Sequence, residues 1–141
     1  MMASSMRGYV NRQLSDLLRR VVFELHRAPK APGDEAIHDL RVAIRRFLQV
    51  SKAFSQFMPA KELKRVRRRL RKVLNSSSDV RERDIALEFF DRALIPQDAA
   101  PRERLVRERR RAQRRLAASL GKWSRKDLTS DWRSALELSV R

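Results

Sequence analysis

The 141-residue chain has no cysteine. That excludes disulfides, thiolate metal sites and thiol nucleophiles, and it fits a reducing compartment. Three glycines and five prolines leave few places where the chain must break, and no glycine-rich loop is present to cradle a phosphate. Aromatic residues are only 6% of the chain, so little surface is available for stacking on bases. No apolar run is long enough to span a bilayer. Arg7, Arg12, Asp16, Arg19 and Arg20 interrupt the N-terminal segment before it reaches signal-peptide length. The expectation is a soluble, cytoplasmic protein.

Acids are the scarce charge. Against 17 Asp and Glu stand 34 Lys and Arg, a net charge of +17. Such an excess points to a polyanionic partner: nucleic acid, an anionic membrane surface or inorganic polyphosphate. Arginine far outnumbers lysine. Its planar fork grips phosphate oxygens in pairs, whereas lysine acts as a point charge; a high-GC coding bias would produce the same ratio, though not the net charge. The 42% hydrophobic content separates the chain from disordered basic tails, and the length allows one domain with a modest core.

The apolar spacing is helical throughout and predicts an all-α, antiparallel bundle of about five or six helices in a single domain. A first helix runs from Ser5 to Arg27, and Ala28–Gly33 breaks it. A second starts with Asp34 as N-cap and continues to Phe57, stopped by Pro59. A third covers Lys61–Asn75, with eight basic residues among its first twelve. Asn75–Ser78 reads as a polar loop, after which Asp79 and Glu82 open a fourth helix as an acidic capping box. A fifth begins at Pro101 and ends at Leu120, with Gly121 as its C-cap. A last, shorter helix starts near Ser124 or Asp127. Phe23, Phe47, Phe54, Phe89 and Phe90 fall on core stripes, which leaves Tyr9, Trp123 and Phe57 as stacking candidates.

The second helix has two faces. Ile37, Leu40, Ile44, Phe47, Leu48, Ser51 and Phe54 form its core stripe. His38, Arg41, Arg45, Gln49 and Lys52 form a neighbouring stripe, with Arg46 further round. Stacked cations repel, so a row of them beside the core suggests an anion that the row holds. Without such a ligand His38 reads as a cap or hinge residue. Arg109 lies inside the apolar stripe of the fifth helix and needs either partners or an anion. Arg71, Arg111, Arg114 and Arg115 are candidate walls of the same basic surface.

His38-Asp39-Leu40-Arg41-Val42-Ala43-Ile44-Arg45-Arg46 resembles the signature of the CHAD family, the conserved histidine α-helical domain: a His, an Arg three on, and an Arg pair seven and eight on. Val80-Arg81-Glu82-Arg83-Asp84-Ile85 is similar to that family's Val-Arg-Asp-x-Asp-Val segment, with Glu82 in place of the first Asp and Ser76–Ser78 where a Gly is usual. Arg109, Arg111, Arg114 and Arg115 resemble the family's arginine-rich later helix. The resemblance spans roughly residues 30–138. It implies a helical bundle that binds inorganic polyphosphate on a His- and Arg-lined surface without catalysis, at polyphosphate granules where these occur. It places Arg81 and Arg109 beside His38, Arg41, Arg45, Arg46 and Lys52. The family's full domain is about twice this length, two bundles around a basic channel, so this chain matches a short or half-length member. Two chains pairing as a homodimer would restore the channel.

The alternative is non-specific binding to a nucleic-acid backbone, for which the same cations would serve. A membrane-surface helix fits less well, because the two most basic helices lack a wide apolar face. Enzymatic and metal chemistry find little support, and neither a cofactor nor a resident metal is expected. The two histidines, His26 and His38, stand in different contexts. His38 and Asp39 point to different sides of a helix, and Asp79, Glu82 and Asp84 read as acids complementing a helix start.

Overall fold

The computed structural model describes residues 2–30, 33–122 and 128–138, with side chains from residue 5 onward. The described residues form five α-helices: α1 (Met2–Arg27), α2 (Asp34–Ala53), α3 (Ala60–Arg92), α4 (Ala100–Gly121) and α5 (Leu128–Ala135), with a 3-10 turn at Ser55–Phe57 between α2 and α3. No strand occurs among the described residues, and the fold is all-α.

The core follows from the three- and four-residue apolar spacing. Val10, Leu14, Leu18, Val21, Val22 and Leu25 of α1 meet Ile37, Leu40, Ile44, Phe47 and Leu48 of α2, and all are buried. Full burial of side chains of this size contributes roughly 1.5–3 kcal/mol each. α3 adds Leu63, Val66, Leu70, Val73 and Val80; α4 adds Ala112, Leu116 and Leu120. α5 packs on α1 and buries Leu128 and Trp132. Side-chain bonds fix the directions. Arg27 of α1 pairs with Asp39 early in α2. Arg67 near the start of α3 reaches Leu48 and Ser51 late in α2. Arg102 at the start of α4 reaches Asp91 at the end of α3. From α1 to α4, successive helices are therefore antiparallel.

Four expectations from the sequence are corrected. First, Asn75–Ser78 is not a loop, and Asp79 caps nothing: α3 is one helix of 33 residues. Two things override the weak helix propensity of the serines. The Ser77 and Ser78 hydroxyls donate back to the Leu74 carbonyl at 2.7 and 3.0 Å, a bond helices accommodate. The buried stripe also continues through them, at Leu63, Val66, Leu70, Val73, Ser77, Val80 and Asp84. Second, the α2 N-cap is Gly33; Asp34 is the first helical residue, and its carboxylate turns toward Arg109, 4.0 Å away. α2 also ends at Ala53 rather than Phe57. Third, Gly121 is the last residue of α4, with Lys122 in the cap position. Fourth, Phe23 and Phe89 are not core residues, being 54% and 67% exposed. Trp123, Ser124, Arg125 and Asp127 lie outside the described residues.

Candidate functional site

The α2 cations divide between two flanks of the helix. Arg41 leans toward α3. Its Nη1 donates to the Leu74 carbonyl (3.0 Å), Ser77 Oγ (2.9 Å) and Ser78 Oγ (2.6 Å). The small, buried Ser77 lets the guanidinium approach the α3 backbone this closely. Its ordinary pKa is lowered, first by burial, then by repulsion from Arg45 and Arg81, with Glu82 opposing. That convergence of three arginines from two helices comes directly from the two sequence motifs. An anion set among them would relieve the repulsion.

Fourteen residues before Arg81 along α3, about 21 Å by helical rise, a second arginine bridges the same two helices. Arg67 Nη1 donates to the Leu48 carbonyl (2.7 Å) and Ser51 Oγ (3.0 Å). Its pKa is lowered by burial and by Arg71. Both bridging arginines make these bonds through Nη1 alone, so Nε and Nη2 retain donors for a ligand. Beside Arg67 opens a cavity of about 810 Å³. Lys64, Arg67, Arg68, Arg71 and Lys72 line one side, and Ser55, Gln56 and Met58 the other; no carboxylate and no aromatic ring is among its lining residues. Lys52, three turns on from Arg41, is exposed on the same face of α2. Arg41, Arg45 and Arg81 thus converge where α2 packs on α3, while Arg71 lines the cavity beside Arg67. The sequence reading missed Arg67, Arg68, Lys64 and Lys72. The signal was there in the basic run of residues 61–72, but without the packing of α2 on α3 it did not say which flank faced the groove.

His38 and Arg46 lie on the other flank. They line a cleft of about 330 Å³ between α1 and α2 together with Arg20, Asp39 and a floor of Leu17, Val42 and Ala43. His38 is an exposed residue inside α2 and not a cap.

Arg109 has protein partners. Its Nε donates to Asp84 Oδ1, and Nη2 lies 4.0 Å from Asp34 Oδ1. Burial holds the Asp84 carboxyl above its ordinary range, against the pull of Arg109, and Asp34 pushes in the same upward direction. Three helices meet at this cluster, in a pocket that also carries Glu88, Asp91 and Arg110. Arg109 thus ties α4 to α3 through Asp84 and to the start of α2 through Asp34. Arg111, Arg114 and Arg115 are exposed on α4; Arg114, with Arg110, edges a separate cavity of about 430 Å³ floored by Ile37, Leu116 and Leu120. Another inward arginine escaped the sequence reading. Arg102 is only 5% exposed and bonds to Asp91 (2.6 Å) and the Ile95 carbonyl (2.8 Å), closing the α3–α4 turn.

No helix among the described residues is long and apolar enough to cross a membrane. Neither a curated protein nor a solved structure matches the chain. The family model described as CHAD domain matches residues 8–140, extending the motif-based resemblance back through most of α1. Nearly the whole chain is thus accounted for by one family, and the protein belongs to the CHAD domain family.

Proposed function

We propose that the α2–α3 groove binds inorganic polyphosphate and performs no catalysis. The observation that carries this is the gathering of arginines where α2 packs on α3: Arg41 is lowered in pKa first by burial and then by Arg45 and Arg81, and Arg67 first by burial and then by Arg71. Mutual repulsion of this kind destabilises the empty groove, and a chain of phosphates offsets it along its length. Polyphosphate carries a charge at each unit and no bases. It needs a repeating row of cations and no stacking surface, which is what the aromatic-free lining beside Arg67 offers. Family membership supports the same ligand class. Pairing of two chains around the groove, granule association and a cytoplasmic setting extend this reading.

A competition titration at physiological salt tests it. Labelled long-chain polyphosphate is challenged with duplex DNA, single-stranded RNA and orthophosphate. Preference for polyphosphate is expected, with binding weakened at least tenfold in the Arg41→Ala/Arg45→Ala variant while the helical spectrum is retained. Equal competition by DNA or RNA would transfer the function to nucleic-acid backbone binding, in which net charge and not the groove is operative.

A further inference from the structure

The C-terminal half of α3 carries a face that binds no other helix among the described residues. Asp84, Leu87 and Asp91 turn toward α4, where they share a pocket with Val106 and Arg109. Ile85 and Phe89 turn away from it and are 50% and 67% exposed. They stand one helical turn apart, so the two side chains lie together. Single exposed apolar residues are ordinary; an aligned pair of this size is an apolar centre.

The charge around that centre says what fits it. The chain carries +17, yet between residues 79 and 94 five acids stand against three arginines. A second copy approaching through the basic helices is repelled, and here the local balance is reversed. The order along the face adds a symmetry. Glu82 stands three residues before Ile85, Arg92 stands three after Phe89, and both are exposed. Read in one direction the face is acid, apolar, apolar, base. An antiparallel copy reads in reverse, so that each Ile85 meets a Phe89 and each Glu82 an Arg92. A two-fold contact requires this self-complementarity, and the flanking opposite charges fix its register.

We propose that this face joins two copies of the chain on a bound polyphosphate. The inference rests on the polyphosphate reading and gives the pairing its surface. Arg81 lies one turn before Ile85. The two-fold axis leaves both Arg81 side chains on one side of the pair, about 18 Å apart by helical rise. One anionic chain then reaches the Arg41–Arg81 cluster of each copy. Two apolar side chains per copy fall well short of the roughly 1,200 Å² that a stable interface buries. The free chains therefore stay apart, and the shared anion supplies the effective concentration that closes the face.

Because the chain has no cysteine, introduced ones report the contact directly. Full-length Ile85→Cys and Phe89→Cys chains are mixed and oxidised with and without long-chain polyphosphate, and Gln13→Cys, exposed on α1, is the control. The mixed disulfide is expected to predominate and to form roughly tenfold faster than the control when polyphosphate is present. Phe89→Ser should remove the cooperativity with which copies load onto long chains, while affinity for a short chain that holds one copy is unchanged. Cross-linking no faster than that of Gln13→Cys, or cooperative loading by Phe89→Ser, would overturn the proposal. Failure of the polyphosphate reading would appear separately, as no preference for polyphosphate in the competition titration. The same cross-link at high protein concentration in about 0.5 M salt, where screening takes the place of the anion, then decides the face alone: its absence there would overturn the pairing.

Discussion

Arg41 joins two roles that are usually kept apart. One nitrogen binds α3 through three acceptors, and the rest of the guanidinium faces Arg45 and Arg81. A lysine would keep the charge and lose the cross-helix bonds, so an Arg-to-Lys change here would alter the fold of the groove as well as its ligand contacts. Asp84 is the acidic counterpart. Its side chain is nearly buried beside Arg109, and its carboxyl is raised by burial, then by Asp34, against Arg109. A raised carboxyl pKa means that the folded chain holds the proton more tightly than the unfolded one. The resulting stabilisation is complete below the ordinary carboxylate range, about pH 4, and is lost as pH rises through the raised value. Denaturant unfolding across that window should show stability declining with pH, and Asp84→Asn should flatten this part of the profile. An identical slope in the variant would remove Asp84 as its source.

The elements were legible in the sequence wherever the apolar period was unbroken. The buried face of α2 holds the residues of its predicted stripe except Phe54, which lies past the helix end and is half-buried, and α1 begins and ends within a few residues of expectation. Asn75–Ser78 misled because serine and asparagine are common in loops; the period of seven running through Val73, Ser77, Val80 and Asp84 was the better signal. Ser77 and Asp84 are polar, so that stripe did not look like a core. Phe23 and Phe89 misled in the opposite way: they are apolar residues on faces that no described helix covers. Of the predicted site, the Arg41–Arg45–Arg81 convergence was readable from the motifs. The pairing of Arg109 with acids from α2 and α3 was not, because nothing in local sequence brings Asp34 and Asp84 together. The C-terminus of α3 shows what local sequence does not optimise. Leu94 has φ of 56° in a cap where the Ile95 N–H bonds back to the Phe90 carbonyl, a geometry that glycine adopts without strain. Leu94 is 87% exposed, so Leu94→Gly removes little packing and should raise unfolding stability by about 1 kcal/mol. A decrease would mean that the leucine makes contacts worth more than its backbone strain.

At the scale of the molecule, the +17 charge acts on every copy of the chain alike. Two copies facing each other across their grooves would repel, and the pairing proposed above therefore depends on the anion between them. Light scattering at moderate salt should report a monomer mass for the free protein and a dimer mass once long-chain polyphosphate is added. A monomer that still binds long chains tightly would sink the pairing and leave the single groove sufficient.

The continuity of α3 has one more consequence. A break at the serines would leave Arg67 and Arg81 on separate bodies, each free to settle at its own height against α2. Because the backbone runs helically between them, their spacing is set by the rise of the helix. The bonds from Arg41 and Arg67 fix the phase of one tooth row against the other. The two helices form a rigid comb, suited to a polymer that repeats monotonously, since such a chain offers the same purchase wherever along its length the comb engages.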